Sequence, residues 1–133
     1  MHVIRLHGPW TAEITGSGPS ATRRVHLPRE WSDLAERARA SSVSLLRRFH
    51  RPTGLDATTM VTLAIPRAWP LAAVTINGQP QQPREHDGDL RKFDISTLIR
   101  TQEAHDLRID FRIGDELLAA PYFVGLEITE PAS

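Results

Sequence analysis

The chain has 133 residues, a length that suits one domain rather than two and allows a buried core without covalent staples. It contains no cysteine, which excludes disulfides and thiolate metal sites. Sixteen basic residues balance sixteen acidic ones, and a net charge of zero argues against nucleic acid or an anionic membrane as partner.

The opening residues carry no apolar run of signal-peptide length. No stretch approaches the ~20 apolar residues of a membrane span, so the expectation is a soluble, cytoplasmic protein. Short strands are predicted at Val3–Leu6, Trp10–Thr15 and Thr22–Leu27, with an exposed loop at Gly16-Ser17-Gly18-Pro19-Ser20. After Pro28, the residues Trp31, Leu34, Ala35 and Ala38 recur at helical spacing, which predicts a helix within residues 29–39.

From there alternation dominates. Val43, Leu45 and Phe49 share one face of a strand, while Ser44, Arg48 and His50 take the other. Val61, Leu63 and Ile65 form the next inward set, and Val74-Thr75-Ile76 repeats the pattern. It runs into Asn77-Gly78, a tight-turn signal because both residues tolerate positive φ. Arg91–Ile95 is a further short strand, and the Asp94 side chain is placed to cap a turn at residues 96–99. Between Leu107 and Ile113 every odd residue is apolar and every even one charged. In the last segment Tyr122, Val124, Leu126 and Ile128 share a face. These segments make about nine strands at sandwich-like spacing. The predicted fold is all-β: one antiparallel β-sandwich domain over residues 1–133, with one or two short helical turns.

Residues suited to chemistry do not assemble into a recognisable active site. A glycosidase-type pair needs two carboxyl groups about 5–9 Å apart in a shared cleft, whereas acids in the strands, such as Asp110, alternate outward with arginines. His86-Asp87-Gly88-Asp89, placed in a loop after the hairpin, lacks the third spaced carboxylate and closing glutamate of a calcium loop and reads as a polar turn. The six histidines are scattered without metal-ligand spacing. A glycine-rich phosphate loop and a nucleophile elbow are both missing. No catalytic residue, metal or cofactor is assigned, and the chain reads as a non-enzyme. Trp10 begins a strand and reads as core. Trp31 and Trp69 fall in predicted loops beside Arg29 and Arg67, where each either covers the sandwich end or offers a ring face to a ligand.

Taken in chain order, the punctuated segments resemble the N-terminal sugar-binding domain of glycoside hydrolase family two, the β-galactosidase and β-glucuronidase group. Leu6-His7-Gly8-Pro9-Trp10 resembles its opening leucine–glycine–tryptophan strand, and Val25-His26-Leu27-Pro28-Arg29-Glu30-Trp31 its valine–proline–x–x–tryptophan segment. Leu46-Arg47-Arg48-Phe49-His50-Arg51-Pro52 is similar to its arginine–arginine strand, although the family's tyrosine is replaced by Leu45 or Leu46. Val74-Thr75-Ile76-Asn77-Gly78-Gln79 resembles the family hairpin, Phe93-Asp94-Ile95-Ser96-Thr97-Leu98-Ile99 its phenylalanine–aspartate–isoleucine segment, and His105-Asp106-Leu107-Arg108-Ile109 the lead into the next strand.

The resemblance implies a jelly roll of the galactose-binding type, here without the family's immunoglobulin-like domain and catalytic barrel. The family's catalytic glutamates lie in that barrel, so none carries over. What it implies is a non-catalytic carbohydrate-binding module, binding at the loops of one sandwich end or on its concave sheet. Arg67, Trp69, Arg84, His86 and Asp87 are the candidate ligand residues, with Trp69 stacking and the others hydrogen-bonding hydroxyls. The partner is then an oligosaccharide. The alternative is a protein-interaction or assembly module that has lost sugar binding, and a small enzyme with a loop-borne site is a third reading. A first test addresses the hairpin: Gly78→Val is expected to cost about 1 kcal/mol or more by forcing a β-branched residue to positive φ. An unchanged melting temperature would remove the turn assignment.

Overall fold

A strand that is apolar on one side only must lay that side against a second layer, and the alternating segments do so here. The computed structural model describes residues 2–16, 20–27, 29–39, 41–66, 71–83, 85–87, 90–113 and 124–130. One sheet has the order β1 (His2–Arg5), β11 (Gly125–Thr129), β5 (Met60–Pro66), β9 (Leu90–Asp94), β8 (Glu85–Asp87). The other has the order β3 (Ala21–Val25), β2 (Trp10–Thr15), β4 (Ser41–His50), β10 (Ala104–Ile113), β6 (Leu71–Ile76), β7 (Gln79–Gln81). All the pairings are antiparallel. The chain changes sheet after β1, β4, β5, β7, β9 and β10, as in a jelly-roll sandwich.

The longest ladder joins β4 to β10, from His50 opposite Ala104 to Ser41 opposite Ile113. Its register puts Val43, Leu45 and Phe49 on the same side as Phe111, Ile109 and Leu107, all buried. Val61, Leu63, Ile65, Phe93 and Leu126 of the five-stranded sheet complete the core. Each such side chain contributes about 1.5–3 kcal/mol of burial. Helix α1 (Trp31–Arg37) adds Trp31, Leu34 and Ala35 to the core. The Trp31 ring lies 5.6 Å from that of Phe111. Trp31 is therefore helical, as its spacing with Leu34, Ala35 and Ala38 predicts, and wholly buried, so its placement in a loop beside Arg29 does not stand: its helix presents an apolar stripe to the sheet.

Charged residues also take inward positions, Arg47 among them. Arg47 falls between Leu45 and Phe49, and its Nε donates to the His7 carbonyl at 2.7 Å. The guanidinium sits 5.9 Å from the centre of the Trp10 ring, and burial holds its pKa below the usual arginine value. Trp10 in turn donates Nε1–H to the Leu6 carbonyl at 3.0 Å. On the other sheet Lys92 and Glu127 form a 2.9 Å ion pair with side chains only 15% and 10% exposed.

The expected turns are present. Asn77 and Gly78 have φ of 54° and 80°, the two positive values of a two-residue hairpin between Ile76 and Gln79. Asp94 accepts the Ser96 N–H at 3.0 Å, ahead of a 3₁₀ turn at Leu98–Arg100. Two strands are additional. Residues after the hairpin were expected to loop, with a polar turn at His86–Asp89, yet Gln79–Gln81 pairs with β6, and His86 and Asp87 pair with Arg91 and Leu90. Both are edge strands whose polar composition carries no alternation, so backbone pairing alone reveals them. Tyr122, which opens the last predicted strand, lies outside the described residues, while Val124 and Leu126 are buried as expected.

At Gly8 the backbone passes so close to β3 that an added Cβ would lie 2.6 Å from both His26 Cα and the Val25 oxygen. Gly8→Ala is expected to destabilise the sandwich by about 1–3 kcal/mol, the scale of an overpacked interior. Urea unfolding reads it; an unchanged midpoint would show that the close approach is dispensable.

Candidate functional site

β7 and β8 are the outermost strands of the two sheets, and the chain passes directly from one to the other, so both edges lie on one flank. On this flank a groove of about 650 Å³ is lined by Asn77, Gln79, Gln81, Asp94, Thr97, Leu98, Thr101 and Gln102. One wall is the Asn-Gly hairpin and β7. The other is the end of β9 and the 3₁₀ turn. Four of the lining side chains are carboxamides, two are threonine hydroxyls, and Leu98 is the apolar element.

Several of these groups are already oriented by the backbone. Gln81 donates Nε2–H to the Gln79 carbonyl at 3.0 Å, and Gln102 to that of Ala104 at 2.7 Å. Thr101 Oγ1 donates to the Leu98 carbonyl at 2.7 Å. In both glutamines the amide nitrogen is engaged and the carbonyl oxygen is left as an acceptor. The Asp94 carboxylate is occupied by Ser96, whose hydroxyl donates to it at 2.6 Å. Asn77 is held at both ends of its amide: Oδ1 accepts the Asp106 N–H at 2.8 Å, and Nδ2 lies 2.9 Å from His105 Nδ1.

Two other concavities are structural. One of about 560 Å³ lies against the loop from Arg51 to Ala57, with Arg100 and Glu103. There Arg100 is used as a clamp, donating to the carbonyls of Ser96, Asp56 and Thr59 at 2.5, 2.5 and 2.6 Å. Asp56 closes the same loop by accepting from Thr58 and Thr59, which hold its carboxyl well below the usual range, at about 2. The other, about 420 Å³, is a depression on the outward face of the six-stranded sheet around Leu46, Arg48 and Arg108. Arg108 is bonded to Asp110 at 3.0 Å and to Ser44 at 3.1 Å, so Asp110 is the arginine partner its alternation indicated.

Of the sequence-derived candidates, Arg67, Trp69 and Arg84 lie outside the described residues. His86 and Asp87 are placed by their backbone on β8, on the groove flank, and their side chains lie outside the description. The groove residues themselves went unread. Asn77, Gln79 and Gln81 are a visible amide cluster, but Thr97, Thr101 and Gln102 come a full strand later, and only the topology joins them. Among the described residues Trp10, Trp31, Phe49, Phe93 and Phe111 are all buried, so none of them is a stacking surface. Among those residues no group of three or more histidine, aspartate or glutamate side chains is placed to hold a metal ion, and no helix is long and apolar enough to cross a membrane.

No protein-family model matches this sequence, and no curated protein does. Solved structures do match the fold. An FMN-binding β-glucuronidase from Facaelibacterium prausnitzii L2-6 aligns with 94% of this chain at 21% identity and a TM-score of 0.70. A β-D-mannosidase from Dictyoglomus thermophilum aligns with 84% of it at 10% identity and a TM-score of 0.57. This chain spans 22% and 16% of those two chains respectively. The sandwich thus has the fold of a minor part of two glycosidases, as the sequence resemblance implied.

The Asp56 loop gives a test with a definite sign. A carboxyl held near 2 against an ordinary 3.8 stabilises the folded state fully above about 4, and loses that contribution as the pH falls towards about 2. The difference in melting temperature between wild type and Asp56→Ala is expected to be greatest near neutrality and to shrink over that interval. A difference independent of pH would mean that the carboxylate charge plays no part in closing the loop.

Proposed function

We propose that this chain is a non-catalytic carbohydrate-binding module of glycosidase-accessory type, with a neutral saccharide seated in the groove between the hairpin and the 3₁₀ turn. The observation that carries the reading is the chemistry of the groove walls. Gln81 and Gln102 keep a carbonyl oxygen to accept and the second N–H of the engaged NH2 to donate, which matches hydroxyl groups that do both. Among the described residues no arginine or lysine lines the groove, which suits an uncharged ring better than an anion. Leu98 offers an apolar surface to the C–H face of such a ring. The fold likeness to segments of two glycosidases supports the reading by analogy.

Arg67, Trp69, Arg84, His86 and Asp87 belong to the same proposal, with Trp69 as stacking ring. A second reading, an assembly module, is favoured by one observation. Val3 and Met60, the large apolar side chains exposed among the described residues, sit on strands β1 and β5 at positions that share the outward face of the five-stranded sheet.

Titration calorimetry against neutral oligosaccharides tests both readings. Binding is expected to be weak, at about 10–1000 μM, because a shallow site buries few ligand atoms. Gln79→Ala and Gln102→Ala should each lose about 0.5–1.5 kcal/mol of affinity with the melting temperature unchanged. Trp69→Ala should lose about 1–3 kcal/mol. Absence of binding across a broad glycan panel, together with self-association that Val3→Glu abolishes, would overturn the sugar reading in favour of assembly.

A further inference from the structure

The two walls of the groove are tied together from beneath by one buried side chain. His105 on β10 is 1% exposed, and its ring stacks on Phe49 with centroids 5.4 Å apart. Nε2 lies 3.0 Å from the Ile99 carbonyl in the 3₁₀ turn, and Nδ1 lies 2.9 Å from Nδ2 of Asn77 in the hairpin.

The protonation state follows by elimination. The Ile99 carbonyl can only accept, so Nε2 carries a proton. Asn77 Oδ1 is committed to the backbone N–H of Asp106 at 2.8 Å, so the amide end that faces the ring is the NH2 group, which can only donate. Nδ1 must then be bare. Both bonds exist together only for a neutral imidazole protonated at Nε2. A second proton, on Nδ1, would aim N–H at N–H and break the link to the hairpin.

The charged neighbours are placed so as not to compensate such a proton. Asp106 on β10 and His50 on β4 have the opposite strand parity and are exposed, Arg48 has that parity and is half-buried, and Arg47, which shares the inward face, is itself a cation. From the 3₁₀ turn, the Arg100 guanidinium is spent on the carbonyls of Ser96, Asp56 and Thr59. Glu103 is exposed, and the hairpin itself contributes no ionisable group. Among the described residues no carboxylate is bonded to the ring.

We propose that His105 is a proton-sensitive brace of the groove. Neutral, it ties the Asn77 side chain of the hairpin to the 3₁₀ turn; protonated, it breaks that tie, leaving the hairpin held by its bonds to Asp106 alone at this end. The groove then has one geometry with the ring neutral and a looser one with it protonated, whatever ligand it takes.

The test is nuclear magnetic resonance on the intact protein as the pH is lowered stepwise from about 8 until the ring takes up its second proton or the fold is lost. At the upper end the His105 ring should carry its proton on Nε2. As it takes up the second, the Asn77 side-chain NH2 and the Gly78 amide should shift with the same midpoint. His105→Gln supplies a carboxamide that donates to the Ile99 carbonyl and accepts from Asn77 without titrating, so the Gly78 response should vanish while the fold persists. Asn77→Asp replaces the NH2 by an acceptor for Nδ1–H, so ring protonation should move up by about one pH unit or more. An Nδ1–H tautomer near pH 8, hairpin signals that ignore the ring, or the same Gly78 response in His105→Gln would each overturn the proposal. Should His105→Gln fail to fold, the absence of an upward shift in Asn77→Asp overturns it alone. These signals need no saccharide, so failure of sugar binding leaves them unaffected.

Discussion

The ladder between β4 and β10 carries one apolar and one polar face over ten residue pairs, and the rest of the sandwich takes its bearings from that asymmetry. A slip of one residue would turn Leu107, Ile109 and Phe111 to water and bring Arg108 and Asp110 inside. Register is therefore set by burial, and it propagates outward. β2 builds on β4 and β6 on β10, so the hairpin that forms one wall of the groove is positioned by the same pairing. His105 stands opposite Phe49 in this ladder, which fixes where an imidazole can meet the hairpin.

What the sequence reveals tracks where periodicity exists. Trp10–Thr15, Met60–Ile65 and Leu107–Ile113 are legible because each must bury alternate side chains. Asn77-Gly78 is legible because few dipeptides accept two positive φ values. β7 and β8 are edge strands of polar residues, and nothing in Gln-Pro-Gln or Glu-His-Asp distinguishes a strand from a loop. The helix is legible in the spacing of Trp31, Leu34, Ala35 and Ala38, whereas the full burial of Trp31 depends on the sheet that the helix covers. The groove was hidden at a further level, since its walls come from residues 77–81 and 94–102, and their meeting depends on the strand order of both sheets.

Several arginines outside that groove are committed to the scaffold. Arg47 is bonded to the His7 carbonyl, Arg100 clamps three loop carbonyls, and Arg108 is held by Asp110 and Ser44. Guanidinium groups with several fixed partners are part of the scaffold and are poorly placed to recruit a ligand. Amides with one engaged end keep the other available. The flank lined by such amides thus has spare hydrogen-bonding capacity in a fixed direction.

That flank is also an open sheet edge, which ordinarily invites a foreign strand. In the two-residue hairpin Ile76 and Gln79 exchange both backbone bonds, so the next pair, Thr75 and Pro80, is the non-bonded kind, with its backbone groups directed away from each other. The nitrogen of Pro80 therefore faces outward, at the point where an added strand would seek a donor. Because proline has none to give, the sheet cannot be extended across this position. The six-stranded sheet is terminated by chemistry at the rim of the groove, so the flank stays open to solutes while it resists growth into a fibril.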